Sequence, residues 1–306
     1  CNQYYDIITK DFTNYSPLCS SSIRNSWKAV RHVAETEEGR AWLTALFQLC
    51  KPLKRETVDD FVAFILGAWD SMSMTDYPAP ANFLNPMPAY PIKHACKFLT
   101  TPNADERTLI KTIYQGRFIL ELLHHQSVDL MFSHSSTASS IFYNYTGQTK
   151  CNDIESTGGG LGDIAGWNFQ ACTEMVLPVC SNGVTDMFEP NPWNITSYSL
   201  NCYKQFGVYS DVEKALILFG GDHIKSASNI IFSNGDRDPW SAGGVLHTLN
   251  PTLPAIKIPG ACHHEDLRPS TPSDPQTLKD VRVQELKIIK GWLDAYYTEK
   301  NIVIPF

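Results

Sequence analysis

Evidence for an α/β fold is concentrated in Ser228-Asn-Ile-Ile-Phe-Ser-Asn-Gly235-Asp-Arg-Asp238-Pro-Trp240. Its first six residues form a short, β-prone apolar run, and the Asn-Gly pair that follows is typical of a turn. The segment Pro254-Ala-Ile-Lys-Ile-Pro259 predicts a second short strand that also ends in a loop. A long helix is then expected to open at Asp274-Pro275. Strand, loop, strand, loop and helix in this order are typical of the end of an α/β layered sheet.

The first half of the chain predicts mainly helices. Ser20–Ser22 are expected to cap the first of them, whose apolar face is made of Ile23, Trp27, Val30 and Ala34. A second helix is expected from Glu56 to about Trp69. Leu109 and Ile113, with Phe118 and Leu122 after them, predict a third. The proline-rich residues 77–91 between them cannot form a regular helix.

The loops after the two predicted strands hold the residues best suited to catalysis. Asp238 follows the first strand, and His263 follows the second. In open α/β sheets functional groups lie just beyond the carboxyl ends of strands, and acid followed by histidine is the second half of the hydrolase order Ser, Asp, His. A structural alternative stays open, in which Asp238 caps a turn and His263 is a satisfied loop histidine. The chain contains no GxSxG sequence, so this interpretation lacks its nucleophile.

Metal and nucleotide binding are less well supported. His263-His264-Glu265-Asp266 is rich in ligand-type residues, but adjacent residues diverge along a loop and the chain has no HExxH sequence. Gly160-Leu-Gly-Asp-Ile-Ala165 matches a loose dinucleotide-binding pattern, but it follows a polar stretch where that pattern requires a strand. We therefore expect neither a metal nor a cofactor.

Composition excludes several classes of protein. The 306 residues include 25 Lys and Arg and 32 Asp and Glu, which gives a net charge of −7. An acidic chain with no basic run argues against nucleic acid as a partner, and the absence of a long apolar run argues against a membrane span. The chain begins with Cys1 and shows no leader, so we expect a processed chain or a fragment of a longer protein.

Cysteines and glycosylation sequons indicate the secretory route. There are nine cysteines, none of them in a CxxC pair, and three sequons begin at Asn14, Asn144 and Asn194. Many cysteines together with sequons favour an oxidising compartment. The odd count leaves one thiol over, and spacing alone does not determine which of the others are paired.

Several longer strings resemble one family of proline-specific serine peptidases, that of lysosomal Pro-Xaa carboxypeptidase and dipeptidyl peptidase II. They are Ser233-Asn-Gly-Asp-Arg-Asp238-Pro-Trp240-Ser-Ala-Gly-Gly244, Gly260-Ala-Cys-His263-His-Glu-Asp-Leu-Arg268, Gln170-Ala-Cys-Thr-Glu174, Asp186-Met-Phe-Glu-Pro190 and Asp76-Tyr-Pro78. The similarity covers nearly the whole chain. It favours the carboxypeptidase over the dipeptidyl peptidase through Asn144-Tyr-Thr-Gly-Gln148 and Leu177-Pro-Val-Cys180.

The resemblance implies a fold, a reaction and a set of residues. It implies a mainly helical cap domain over residues 1–150 and the C-terminal part of an α/β-hydrolase domain over residues 151–306. The reaction is removal of a C-terminal residue after proline, with Asp238 as acid and His263 as base; His264 is the less favoured base. The serine would lie upstream of Cys1, so this chain alone is expected to be inactive. Trp240 would form one apolar wall for the prolyl ring.

The resemblance also implies the disulfides, the location and the partners. The pairs would be Cys1–Cys180, Cys19–Cys96, Cys50–Cys151 and Cys172–Cys202, with Cys262 free. The location would be the lysosome or the outside of the cell, and the partners would be peptides with a prolyl residue; a homodimer is an open alternative to a monomer. Dipeptidyl peptidase activity and a catalytically dead, peptide-binding homologue are the competing functions. About residues 117–139 are extra sequence relative to the family.

Overall fold

The computed structural model describes residues 1–114, 138–154, 164–221, 224 and 226–300. In these ranges the helices are α1 (Gln3–Tyr15), α2 (Pro17–Ala34), α3 (Glu37–Leu46), α4 (Val58–Met74), α5 (Pro91–Cys96), α6 (Glu106–Tyr114), α7 (Ser140–Tyr143), α8 (Ile164–Thr173), α9 (Ile195–Phe206), α10 (Lys214–Phe219) and α11 (Gln276–Glu299). The strands are β1 (Ala81–Asn82), β2 (Pro86–Met87), β3 (Phe232–Gly235) and β4 (Ala255–Ile258). None of these helices is both long enough and apolar enough to cross a membrane.

The predicted helices exist, but their ends differ from the prediction. Helix α2 begins at Pro17, so Ser20–Ser22 lie inside the helix and do not cap it. Proline is favoured in the first turn because its fixed φ is already helical and its missing N–H would have no partner there. The expected apolar face is correct, since Ile23, Trp27, Val30 and Ala34 are all buried. Helix α4 continues five residues beyond Trp69 to Met74, and the predicted start at Glu56 lies in a preceding 3-10 turn, Arg55–Thr57.

Two compact units divide the described chain. The first contains residues Cys1–Asp76, Pro80–Gly166 and Val179–Trp193. The second contains Tyr77–Ala79, Trp167–Pro178 and Asn194–Phe306. This division differs from a single boundary at residue 150, because residues 179–193 group with the helical first unit and residues 77–79 group with the second.

Specific contacts hold residues 179–193 in the helical unit. The indole N–H of Trp27 donates to the Met187 carbonyl at 2.7 Å, and the backbone N–H of Met187 donates to Thr9 Oγ1 at 2.9 Å. Asp186 is fully buried and accepts backbone N–H groups of its own turn, including that of Asn182 at 2.7 Å. Since these contacts are far apart in sequence, composition alone does not reveal them.

Four disulfides join Cys1 to Cys180, Cys19 to Cys96, Cys50 to Cys151 and Cys172 to Cys202. These are the pairs that the family resemblance implies. The first three lie within the helical unit and the fourth within the second unit. Cys262 takes part in none of these disulfides and is buried.

The second unit contains the predicted strand–loop–strand–loop–helix sequence. Strands β3 and β4 pair in parallel, from Phe232 opposite Ala255 to Gly235 opposite Ile258. Helix α11 packs on this pair through a buried apolar cluster: Ile256, Ile258, Ala261, Leu278 and Val281. Parallel pairing brings the carboxyl ends of both strands to one edge, which places the two predicted loops side by side.

Parts of some predictions fall outside the described residues. Most of the extra sequence at residues 117–139, including Phe118 and Leu122 of the third predicted helix, lies there, and so do residues 160–163 of the Gly160–Ala165 string. The proline-rich residues 77–91 are described, and they contain the short antiparallel pair of β1 and β2 before α5 begins at Pro91.

Candidate active site

Backbone contacts bring the two strand-end loops close together. The N–H of Asp236 donates to the Ile258 carbonyl at 3.2 Å, and the N–H of Arg237 donates to the Ala261 carbonyl at 3.1 Å. A Cβ atom added to Gly235 would lie 2.3 Å from the Ala261 carbonyl oxygen, which is too close for any side chain. Glycine at this position therefore allows the acid loop and the histidine loop to touch.

Asp238 makes two contacts that support different interpretations of the sequence. Its Oδ1 accepts the N–H of Trp240 at 2.9 Å and so caps the 3-10 turn Pro239–Gly243. Its Oδ2 lies 2.9 Å from Nδ1 of His263. One buried carboxylate therefore does both things: it caps a turn, as the structural alternative expects, and it contacts the histidine, as the functional interpretation expects.

His263 faces Asp238 through one ring nitrogen. A carboxylate can only accept here, so Nδ1 carries the proton and donates it to Asp238. This tautomer leaves Nε2 as the ring nitrogen that can accept a proton. The His263 side chain is 24% exposed and that of Asp238 is 8% exposed. The imidazole is thus accessible, while the carboxylate that orients it is shielded.

His264 lies directly beside His263. The two ring centroids are 4.0 Å apart, and the His264 backbone is in the left-handed region at φ 38°. Burial lowers the pKa of His264 below its usual value, and the nearby charges of His263 and Arg268 act in the same direction. His264 therefore favours the neutral form next to the candidate base.

Aromatic rings line one side of the acid–histidine pair. The Trp240 ring lies 6.2 Å from the His263 ring, measured between centroids. Trp167 packs edge-to-face against Trp240 at a centroid distance of 6.0 Å, and 42% of its surface is exposed. Trp240 is only half-buried. These exposed aromatic surfaces are available to an apolar ring of a ligand.

Sequence reasoning missed three residues that hold the histidine loop. The Tyr77 hydroxyl donates to the His263 carbonyl at 2.9 Å, and the guanidinium of Arg268 lies 4.2 Å from the centre of the Tyr77 ring. Arg282 of α11 donates to several carbonyls of the same loop. Tyr77 is 186 residues from His263 in sequence, so no local pattern connects them. The Asp76-Tyr-Pro78 string marked the position without indicating this role.

The predicted glycosylation sites differ in how their side chains are used. Asn14 and Asn194 are exposed. Asn194 also caps α9, because its Oδ1 accepts the N–H of Ser197. Asn144 is half-buried, and its amide both donates to and accepts from the backbone of Thr149. Glycosylation of all three remains a prediction.

In the part of the chain that the structure describes, no group of three or more His, Cys, Asp or Glu residues is arranged to hold a metal ion. In the His263–Asp266 stretch, Asp266 Oδ2 accepts the hydroxyl of Ser233 at 2.8 Å, and Glu265 Oε2 accepts the N–H of Cys262 at 2.8 Å.

An acid and a histidine on consecutive loops beyond parallel strands, followed by a helix, define the acid–base half of a serine hydrolase. Comparison with known proteins agrees. The sequence profile of the family described as serine carboxypeptidase S28 matches residues 1–285. The chain therefore belongs to this family of serine peptidases, which is of the α/β-hydrolase type.

Named relatives are similar along almost all of the chain. Lysosomal Pro-X carboxypeptidase of Bos taurus is 39% identical over 298 residues, which are 97% of this chain and 55% of the relative. The Homo sapiens protein of the same name is 38% identical, with coverage of 97% and 55%. Prolyl carboxy peptidase like protein 5 of Caenorhabditis elegans is 32% identical, with coverage of 94% and 56%. The chain spans about half the length of these relatives.

Proposed function

We propose that this chain supplies the acid and the base of a serine exopeptidase that removes a C-terminal residue after proline. The contact of 2.9 Å between Asp238 Oδ2 and His263 Nδ1 carries the proposal. The family and the names of the relatives supply the reaction class and the prolyl preference.

The proposed mechanism uses the geometry of this pair directly. Asp238 holds the imidazole with Nδ1–H toward the carboxylate and stabilises the imidazolium once it forms. His263 Nε2 takes the proton of the attacking serine hydroxyl, and then returns it to the leaving amine. The serine acyl intermediate is hydrolysed when His263 activates a water in the same way.

The nucleophile is proposed to lie in polypeptide that precedes Cys1. Three observations support this placement. The chain has no GxSxG sequence, it spans about half the length of its relatives, and hydrolases of this class carry serine before acid and histidine in the chain. Residues 1–150 would then be the helical cap, and residues 151–306 the closing part of the hydrolase domain. On this proposal the 306 residues alone do not turn over substrate.

The lysosome, or the secretory route that leads to it, is the proposed location. The cattle and human relatives are named lysosomal. Four disulfides fit folding in an oxidising compartment, and the three sequons would be read there.

The test uses the full-length protein, including the polypeptide before Cys1, and an N-blocked peptide that ends in Pro-Phe. Release of phenylalanine is the readout. We expect His263→Ala and Asp238→Asn each to lower kcat/KM by about 10³–10⁴-fold, as for other Ser-His-Asp enzymes. His247→Ala is the matched control, because His247 is an exposed histidine of the same unit.

Other outcomes identify the competing functions. Cleavage of only those peptides whose N-terminus is free, with release of an Xaa-Pro dipeptide, would establish a dipeptidyl peptidase instead. Binding of proline-ended peptides without turnover would establish a catalytically dead homologue. Loss of activity in His264→Ala with activity kept in His263→Ala would transfer the base to the neighbouring histidine.

A further inference from the structure

The loop that carries His263 has little regular structure to fix its shape. It runs from the end of β4 at Ile258 to the start of α11 at Gln276, and every residue in between is described. A three-residue 3-10 turn, Glu265–Leu267, is the helical part of this loop. Since so short a turn leaves most of its carbonyls without helical partners, other groups must satisfy them.

One side chain of α11 satisfies three of those carbonyls. Arg282 Nε donates to the Asp266 carbonyl at 2.8 Å. Its Nη2 donates to the carbonyls of Glu265 at 2.9 Å and Arg268 at 3.0 Å. Its Nη1 donates to Ser270 Oγ at 3.1 Å and to the Asp274 carboxylate. These five hydrogen bonds equal the number of N–H donors that a guanidinium has.

The site is shaped for a guanidinium and not merely for a positive charge. The Arg282 side chain is 16% exposed and that of Asp274 is 5% exposed, so the pair is shielded from water. Burial opposes ionisation of Asp274, but hydrogen bonds from Thr271 and Arg282 outweigh it and lower the pKa of this carboxyl. A lysine in the same place would bring three donors from a single nitrogen and could not reach acceptors spread over the loop.

The acceptors of Arg282 begin two residues after the candidate base. Glu265, Asp266 and Arg268 are the second, third and fifth residues beyond His263. On the other side of the loop, the Tyr77 hydroxyl holds the His263 carbonyl. The Ser233 hydroxyl of β3 also holds Asp266, and β3 is the strand that leads to Asp238. The loop is therefore tied both to the strand of the acid and to α11.

From these contacts we infer that Arg282 is a positioning residue for the imidazole of His263. It acts by fixing the loop so that Nδ1 stays at hydrogen-bonding distance from Asp238 while Nε2 points toward the nucleophile. This inference rests on the proposed function, since it assigns a role within that catalytic pair. All five N–H donors of Arg282 are used by the loop, Ser270 and Asp274, so we assign it a positioning role and not a catalytic one.

The experiment compares Arg282→Lys with the wild-type full-length enzyme on an N-blocked Pro-Phe peptide. We expect kcat to fall about 10- to 100-fold, because displacing a catalytic group by about 1 Å costs a factor of this order. KM should change less than about twofold, because substrate contacts are untouched. The low-field ¹H NMR signal of the His263 Nδ1–H should broaden or vanish in the variant, while wild type keeps it.

Val281→Ala is the matched control for lost stability. Val281 is the neighbouring residue on α11, is buried in the apolar cluster and makes no hydrogen bond to the loop through its side chain. We expect it to lower the melting temperature while kcat and the NMR signal stay at wild-type levels. The inference would be overturned if the two variants lost similar stability and Arg282→Lys kept a kcat as high as that of Val281→Ala. Arg282 would then be an ordinary structural residue.

Failure of the inference is distinguishable from failure of the proposed function. Wild-type activity in His263→Ala would contradict the proposed function. Loss of activity in His263→Ala together with wild-type activity in Arg282→Lys would contradict only the inference. Should Arg282→Lys not accumulate as folded protein, Asp274→Asn replaces it. That change removes the charge that holds Nη1, and we expect a fall in kcat of about 3- to 10-fold; an unchanged kcat would count against the inference.

Discussion

At the scale of single residues, the sequence predicts the two ionisable side chains of the site but not the residues that hold their loops in place. Asp238 and His263 follow apolar runs that end in turn residues, so their position beyond the strands could be predicted. Tyr77 reaches this loop from 186 residues away and Arg282 from the helix that follows it, and only tertiary packing reveals both contacts. Local patterns contain no information about such long-range hydrogen bonds.

Trp240→Ala tests whether the half-buried indole beside His263 contacts the substrate. A prolyl ring has no N–H to donate and is best bound by flat apolar surfaces. We expect kcat/KM for an N-blocked Pro-Phe peptide to fall about 5- to 150-fold, because loss of this surface removes about 1–3 kcal/mol of apolar contact. Steady-state kinetics and a thermal melt of the full-length protein are the measurements.

The control for this variant is Trp42→Ala. Trp42 is also half-buried, but it lies in the helical unit and packs against the Arg107 guanidinium at 5.1 Å. We expect it to affect the melt and leave the kinetics alone. Unchanged kinetics in Trp240→Ala would eliminate the substrate wall, and loss of folding would make Trp240 a core residue.

At the scale of elements, the spacing of apolar residues predicted the buried face of a helix better than the residues at which the helix begins and ends. The apolar stripe of α2 was correct in all four residues, because burial selects the face. The predicted start at Ser20–Ser22 is wrong, because Pro17 already has the geometry of a first helical turn. Ser20 and Ser21 hydroxyls instead donate to carbonyls three residues earlier within the helix. Serine satisfies either role, so sequence alone does not separate them.

A carboxyl pair between α11 and the histidine loop makes their packing depend on pH. Glu285 of α11 is half-buried, and its Oε1 has no hydrogen-bond partner in the described structure. Burial raises the pKa of Glu285 from 4.5 to about 7, and the neighbouring Asp266 carboxylate adds to the shift while Arg282 opposes it. Since the folded-state pKa is raised, the stabilisation is complete below about pH 4.5 and is lost as the pH rises through about 7.

We expect Glu285→Gln to stabilise the full-length protein near neutral pH. Glutamine is permanently uncharged and its amide can donate to Asp266 as the protonated acid does. The melting temperature of the variant should exceed that of wild type by about 1–3 °C at about pH 7.5, a small effect because the group is half exposed. The difference should shrink toward zero at about pH 4.5.

Glu299→Gln is the matched control, since Glu299 is an exposed carboxyl at the end of the same helix. It should keep the pH dependence of wild type. Equal melting temperatures of Glu285→Gln and wild type at both pH values would show that the Asp266–Glu285 pair does not titrate across this range.

At the scale of the whole molecule, the α/β class could be predicted but the grouping of segments could not. Strands β3 and β4 and helix α11 were identifiable from their apolar runs and their order. Residues 179–193 join the helical unit through contacts with Trp27 and Thr9 and a disulfide to Cys1, and these three residues are far from them in sequence. The disulfide pairs came from the family resemblance, because nine cysteines alone allow too many pairings.

Several large apolar side chains of the second unit are exposed in the described chain. In the described residues its parallel sheet contains β3 and β4 alone. Ile217 and Phe219 of α10 are each 71% exposed. Along α11, Leu286, Ile289 and Leu293 form an exposed stripe at helical spacing. We propose that these surfaces are covered by the polypeptide before Cys1, in which the proposed function places the nucleophile.

Leu286→Ala in the full-length protein tests that assignment. Leu286 is 66% exposed in the 306-residue chain, so by itself this structure gives the substitution an effect within about 0.5 kcal/mol. If the preceding polypeptide covers α11, the same change opens a cavity and should lower the free energy of unfolding by about 2–5 kcal/mol, measured by chemical denaturation.

Val184→Ala is the control, because Val184 is 79% exposed and belongs to the helical unit; we expect no measurable change in stability from it. If Leu286→Ala left the free energy of unfolding of the full-length protein unchanged, this face of α11 would be exposed to water there. The preceding polypeptide would then complete the hydrolase domain without covering this stripe.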